Sequence, residues 1–252
     1  APSRGLGDVY KRQPQVQMEK YELLAQGEYN INYAFIHPVT GKKLLLRVNC
    51  GSQMHLKHQI EYEVHALKVI EGSGRTPKVL YVDGSKKILD HGVLVMEYLP
   101  GHAMDYHTEL MLAAPCLADI HSVPVPESEE ILIHPQNPLK AILEECEEMF
   151  KVYLESPLGD EEKKTYIREL LDLGWKREAK IQLERGYQCC INTELNSTNF
   201  LINGEGKSNY LIDWEKPLFG NPAQDLGHFL APTTTFWKTD VILTSEEIEK
   251  FI

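Results

Sequence analysis

Asn192-Thr193-Glu194-Leu195-Asn196-Ser197-Thr198-Asn199, then Phe200-Leu201-Ile202-Asn203, Gly204-Glu205-Gly206-Lys207-Ser208-Asn209 and Tyr210-Leu211-Ile212-Asp213-Trp214, is the stretch on which the reading of this chain turns. The apolar runs Phe200 to Ile202 and Tyr210 to Ile212 read as short strands. Gly204 and Gly206 supply the turn, since glycine takes φ > 0 without steric cost. A hairpin folded there brings its open ends, Asn199 and Asp213, together. An amide oxygen and a carboxylate are the hard ligands that Mg²⁺ accepts, and that ion takes few protein ligands when phosphate oxygens complete its shell. A second acid, Glu194, lies five residues before Asn199. A metal pair with a base beside it is a layout for phosphoryl transfer. Asn and Asp also cap ordinary turns, so the rest of the chain has to carry the reading further.

Composition narrows the classes. The chain has 252 residues and a formal net charge of −11, from 37 acidic residues against 26 Lys plus Arg. An acidic balance argues against general nucleic-acid binding, which needs a basic footprint, and against docking to anionic membrane. It suits a cationic or polyhydroxylated small substrate. The five cysteines, Cys50, Cys116, Cys146, Cys189 and Cys190, contain no Cys-x-x-Cys pair. That pattern points away from zinc and from a disulfide framework, and toward a reducing, cytoplasmic compartment. No apolar run reaches bilayer length, and no signal peptide is visible. Residues 1–13 are polar and aperiodic and are expected to be a non-native or disordered leader. The chain stops within an amphipathic pattern, so the second lobe is expected to be incomplete at its C-terminus.

The first lobe is expected over residues 18–98. Tyr21 to Leu24, Ile31 to Ile36 and Lys43 to Val48 read as an antiparallel meander, with Gly27 in its first turn. A helix is expected from Ser52 to Glu71, with Ile60, Val64, Leu67 and Ile70 on its buried face. Glu63 falls on or beside that face, and Arg47 sits inside the apolar strand Leu44-Leu45-Leu46-Arg47-Val48. Two charges in apolar settings explain one another as an ion pair, because an unpaired buried charge is costly. Strands at Pro77 to Val82 and Val93 to Tyr98 follow, and residues 99–101 form a hinge. The second lobe, residues 102–252, reads as mainly helical: Glu109 to Ser122, Ala141 to Leu154, and Glu161 to Glu184 broken at Gly174. The acids of these helices read as a solvated face, and His121 and His228 as packing or hydrogen-bonding residues.

With these residues in place, the chain resembles the aminoglycoside phosphotransferase and choline kinase group, from about Tyr21 onward. The resemblance implies an α+β, two-lobed protein-kinase-like fold: a small antiparallel-sheet N-lobe with one helix, and a mainly helical C-lobe. The family's loop is His-x-Asp followed five residues later by Asn, matched here by Asn192, Glu194 and Asn199. Its metal-binding Asp is matched by Ile212-Asp213-Trp214, and its Pro-x-x-Asp-Leu segment by Pro222-Ala223-Gln224-Asp225-Leu226. That last Asp braces the loop in the family. The resemblance implies Glu194 and Asn199 as catalytic residues and Asn199 and Asp213 as Mg²⁺ ligands. It implies Gly27, Arg47, Glu63, Glu97, Tyr98, Leu99 and Asp213 on the nucleotide side, with the backbone of Glu97 to Leu99 against the base. ATP or GTP, Mg²⁺ and a small hydroxyl-bearing substrate are the expected partners. Two departures stand out: Asn192 replaces the loop His, and Glu194 replaces the usual Asp. They leave a nucleotide-binding pseudokinase as the alternative. A protein kinase is disfavoured, because Asp213 and Asp225 are too close for a long activation loop and His-Arg-Asp is missing.

Overall fold

The first five strands among the described residues come together in one sheet. In this computed structural model, residues 20–126, 132–182 and 186–252 are described, the side chain of Lys238 excepted; the expected leader at 1–13 lies outside them. β1 (Tyr21–Gln26), β2 (Asn30–Ile36), β3 (Lys43–Asn49), β4 (Val79–Asp83) and β5 (Gly92–Glu97) form one sheet in the order β1-β2-β3-β5-β4. All neighbours are antiparallel. Along β5, Gly92, Leu94 and Met96 are buried while Val93, Val95 and Glu97 are half-buried. That is the alternation of a strand with one face on a core.

The helix α1 (Gln59–Ile70) starts seven residues later than the expected Ser52. His55 lies at φ 55, a left-handed conformation that a right-handed helix cannot propagate through. Ser52 supplies a local alternative: its Oγ accepts the Leu56 N–H at 2.9 Å and donates to Gln59 Oε1 at 2.5 Å. Where α1 crosses β5 the approach is close. A Cβ on Gly92 would lie 2.8 Å from Ile60 Cγ2, so only glycine admits the helix there.

The chain divides into two compact units, one of Ala1–Val64 with Pro77–Pro100, the other of His65–Thr76 with Gly101–Ile252. The division therefore falls inside α1. The second unit opens with β6 (His102–Ala103) and α2 (Leu110–His121), followed by α3 (Pro138–Glu155) and α4 (Glu161–Glu178). Next come β7 (Cys189–Ile191), β8 (Phe200–Ile202), β9 (Tyr210–Leu211) and β10 (Leu218–Gly220), and then α5 (Ala223–Leu230), α6 (Pro232–Thr239) and α7 (Ser245–Phe251). The strands pair as β6-β8-β9 and β10-β7. Gly101, at φ 131, would put a Cβ 2.9 Å from the Leu201 backbone, so this position too requires glycine.

Three further expectations about the helices are corrected. α4 runs unbroken through Gly174, because that glycine is a contact point: a Cβ there would sit 2.7 Å from Leu143 Cδ2 on α3. The expected extension of this helix toward Glu184 is not formed, and residues 183–185 lie outside the described ones. The acids of α3 are not all solvated either. Glu147 accepts two bonds from Arg168, at 2.8 and 3.0 Å, and one from Trp175 Nε1 at 3.1 Å, which locks α3 to α4. The core of the unit is aromatic: Phe229 stacks at 5.2 Å on Tyr106, 5.1 Å on Phe200 and 5.4 Å on Phe251. Trp214 is buried beneath the hairpin and donates from Nε1 to the Leu211 carbonyl at 3.1 Å.

Candidate active site

In the first unit, β3 places Arg47 and α1 places Glu63 so that the guanidinium Nη1 bonds the Glu63 carboxylate. Both are buried, at 6% and 1% exposure. Arg47 Nε also donates to Asn32 Oδ1 at 3.0 Å, from the residue directly opposite on β2. The ion pair read from the sequence is therefore formed. Gly27 lies in the turn between β1 and β2, where its N–H donates to the Asn30 carbonyl at 2.9 Å. Its φ is not positive, and an added Cβ would meet only ordinary contact, so this turn does not demand glycine. Glu97 ends β5. Its N–H is already committed to the Lys78 carbonyl at 3.0 Å, and its Oε2 accepts the Lys78 N–H at 3.2 Å. Tyr98 is exposed, with Lys43 Nζ 4.2 Å from its ring centroid, and Leu99 is half-buried.

In the second unit, the segment Asn192 to Asn199 leaves β7 and enters β8 through a single 3-10 turn, Ser197–Asn199. Its shape is set by a polar frame. The wholly buried Asp225, in the first turn of α5, accepts the backbone N–H of Asn192 at 2.9 Å and of Thr193 at 2.7 Å. Its Oδ2 also bonds His121 Nε2 at 2.9 Å. Asp225 thus braces the loop, the part the resemblance implied for it, and His121 holds the brace. Thr193 sits at φ 71, a left-handed conformation costly for a β-branched residue. Its Oγ1 donates to the Lys216 carbonyl at 2.7 Å, which helps keep it there.

Asn192, in place of the family's His, is 1% exposed, and its Nδ2 donates to the Asp213 carbonyl at 2.7 Å. Its Oδ1 accepts the Glu194 N–H at 3.2 Å. One amide therefore ties the loop to the far end of the hairpin. Asn199 Nδ2 donates to the Glu194 carbonyl at 3.1 Å, and the Ile212 N–H donates to the Asn199 carbonyl at 2.8 Å. These bonds bring Glu194, Asn199 and Asp213 to one junction. Asp213 is itself left-handed, at φ 67, the kind of local strain that surrounding structure must support. Gly204 and Gly206 turn the hairpin at φ 108 and 70.

Two further residues, Lys216 and His228, were given no part in the site by the sequence. Lys216 extends its Nζ to Glu145 on α3, at 2.5 Å. His228 lies one turn beyond Asp225 on α5 and feels Glu194, Asp225 and Lys216. Burial pushes its pKa below the ordinary histidine value, outweighing the two carboxylates, which act to raise it. The sequence signal for His228 is its i, i+3 spacing from Asp225; for Lys216 there is none. Among the described residues no group of three or more His, Cys, Asp and Glu could hold a metal ion. Also among the described residues, no helix is long and apolar enough to cross a membrane.

An antiparallel sheet unit with a buried Arg–Glu pair, and a helical unit with a braced loop and hairpin, define a kinase-like α+β protein. The model of the phosphotransferase enzyme family matches residues 20–244, and the chain belongs to that family. Among solved structures, it is similar to spectinomycin phosphotransferase in complex with ADP and spectinomycin, with TM-score 0.62 and 16% identity over 92% of this chain and 72% of that one. It is also similar to a Plasmodium vivax ethanolamine kinase (TM-score 0.70, 17% identity, 97% of this chain and 69% of that one). The choline kinase of Cryptosporidium parvum gives TM-score 0.64 at 14% identity over 96% and 73%. At these identities the likeness is one of fold. Comparison with curated proteins finds no match.

Proposed function

We propose that this chain is a small-molecule kinase that transfers the terminal phosphate of ATP or GTP to a substrate hydroxyl. The observation that carries the reading is the junction at which Asn192 and Asn199 hydrogen-bond Glu194, Asn199 and Asp213 into one cluster. Asn199 commits its Nδ2 to the Glu194 carbonyl, which leaves Oδ1 as the oxygen for a cation. With the Asp213 carboxylate it makes a hard two-oxygen donor set that fits Mg²⁺ bound through nucleotide phosphates. Bound there, the ion would neutralise charge on the phosphates. Glu194 orients the acceptor hydroxyl. Arg47, held extended by Glu63 and Asn32, offers a fixed guanidinium to phosphate oxygens. The backbone of Glu97 to Leu99 meets the base through the Glu97 carbonyl and its successors, since the Glu97 N–H is spent on Lys78. Five free thiols suit a reducing, cytoplasmic setting.

Single-turnover assays with γ-labelled ATP and GTP against a panel of hydroxyl compounds test this reading. Labelled small-molecule product, lost in Asp213→Asn and strongly reduced in Glu194→Ala, is the expected result. A nucleotide-binding protein without transfer is the second reading, favoured by the extra methylene of Glu194. It predicts a Mg-nucleotide-dependent thermal shift with no product from any acceptor.

A further inference from the structure

We infer that Cys50 and the cavity beside it form a modification site, at which the thiol takes a mixed disulfide with a small thiol peptide bearing two carboxylates and one ammonium group. The inference goes beyond the phosphotransfer reading and does not rest on it. The cavity measures about 230 Å³ and belongs wholly to the first unit. Its walls are the segment that leads from β3 into α1 and the connection between β4 and β5. Cys50 lines it, is exposed, and carries a free thiol. Asn49, also in the lining, is only 8% exposed. Its Nδ2 donates to the Gly51 carbonyl at 2.8 Å and to Asn30 Oδ1 at 3.0 Å, while among the described residues no donor meets its own Oδ1. A nearly buried acceptor without a donor is costly, and a peptide N–H would satisfy it.

The charges of the lining match the same kind of peptide. Lys57 and Lys86 have no carboxylate partner among the described residues, and they suit two carboxylates. Asp90, likewise without a cation among the described residues, suits an ammonium group. Glu61, the other acid of the lining, is already engaged. His58 Nδ1 lies 3.5 Å from its Oε1, and that oxygen would stand 1.9 Å from a Cβ on Gly84, so the carboxylate is packed against the β4–β5 connection. The chemical step is thiol–disulfide exchange. The Cys50 thiol loses its proton, and the thiolate attacks one sulfur of the peptide disulfide. The new S–S bond to Cys50 forms as the peptide's own S–S bond breaks. The second peptide leaves as a thiolate and takes up a proton, so no further oxidant is needed.

The test uses the full chain, with glutathione disulfide as the probe. Cystamine, a small disulfide with ammonium groups and no carboxylate, is the comparison. Rates of adduct formation at Cys50 are followed by peptide mass mapping of the folded protein. Glutathione disulfide is expected to modify Cys50, and a dithiol to remove the adduct; Cys50→Ser is expected to lose it. The double variant Lys57→Gln with Lys86→Gln is expected to react about fivefold more slowly with glutathione disulfide, the scale that two exposed charge pairs allow. Its reaction with cystamine should be no slower than that of the wild type, which also shows that the variant is folded around Cys50. A wild type whose Cys50 stays unmodified by glutathione disulfide would overturn the inference. So would a double lysine variant that keeps the wild-type rate, since Cys50 would then be an exposed thiol and nothing more. A variant slowed equally toward both disulfides would overturn it too, because recognition of the carboxylates would not be the cause.

Discussion

The buried carboxylate of Asp225 accepts the backbone N–H of Thr193 at 2.7 Å, and so holds a β-branched residue in a left-handed conformation at φ 71. The loop that carries Glu194 is therefore shaped by an acid thirty-two residues away along the chain. Replacing Asp225 by Ala strands two buried N–H groups and His121 at once. Breaking such a buried charged network costs about 3–5 kcal/mol. Urea unfolding should show a loss of that size, with activity lost as well, whereas His121→Asn should cost less because the two backbone bonds survive.

Thr193 tests the strain directly. Thr193→Ala keeps the unfavourable backbone and loses the bond from Oγ1 to the Lys216 carbonyl, for a cost of about 1 kcal/mol. Thr193→Gly loses the same bond but is at ease at positive φ, which recovers about 1–2 kcal/mol. The glycine variant should therefore be the more stable of the two by denaturant midpoint. The reverse order would mean that the left-handed geometry carries no strain.

Arg47 and Glu63 form a buried pair on β3 and α1. Arg47→Ala leaves a buried carboxylate without its cation and should destabilise the protein by about 3–5 kcal/mol. The double variant Arg47→Met with Glu63→Leu removes both charges in favour of apolar side chains, and it should recover most of that loss. Under the proposed function it should still show no Mg-nucleotide thermal shift, since the cation proposed to meet the phosphates is gone. A double variant that is stable and binds nucleotide normally would dismiss Arg47 from the site.

Cysteine ionisation gives a prediction in pH. Burial pushes Cys116 and Cys189 up to about 12 and Cys190 well above its ordinary value. In the unfolded chain these thiols ionise near 9, while in the folded protein they stay protonated. The unfolded state binds fewer protons in that interval, so folding stability falls as pH rises above about 9, by up to about 1.4 kcal/mol per thiol per pH unit. At pH 8 a thiol reagent should label the exposed Cys50 first and reach the buried three only on unfolding. Denaturant midpoints that stay flat from pH 8 to 10 would contradict this.

Much of the fold was legible because its signals are local. The apolar run from Val93 to Met96, the turn glycines at 204 and 206, and the apolar spacing of Ile60, Val64, Leu67 and Ile70 each depend on neighbours within a few residues. The pairing of Arg47 with Glu63 was legible for a related reason, since two charges in apolar runs must answer one another. The start of α1 was not, because His55 in the left-handed region and the bonds of Ser52 are outcomes of three-dimensional context. Gly174 misled for the same reason: a helix breaker by propensity, it is a packing point once Leu143 lies against it.

By itself the sequence determined the order of the elements, the hairpin, and the residue types and spacings of Glu194, Asn199, Asp213 and Asp225. Tertiary structure alone decided how the loop is held. Asn192 reaches the Asp213 carbonyl, and Asp225 gathers the Asn192 and Thr193 N–H groups with His121. Those contacts join residues far apart in the chain, and each depends on burial, which makes an unmet hydrogen bond expensive. Spacing can nominate the residues of such a frame, but only the packed interior compels them to meet.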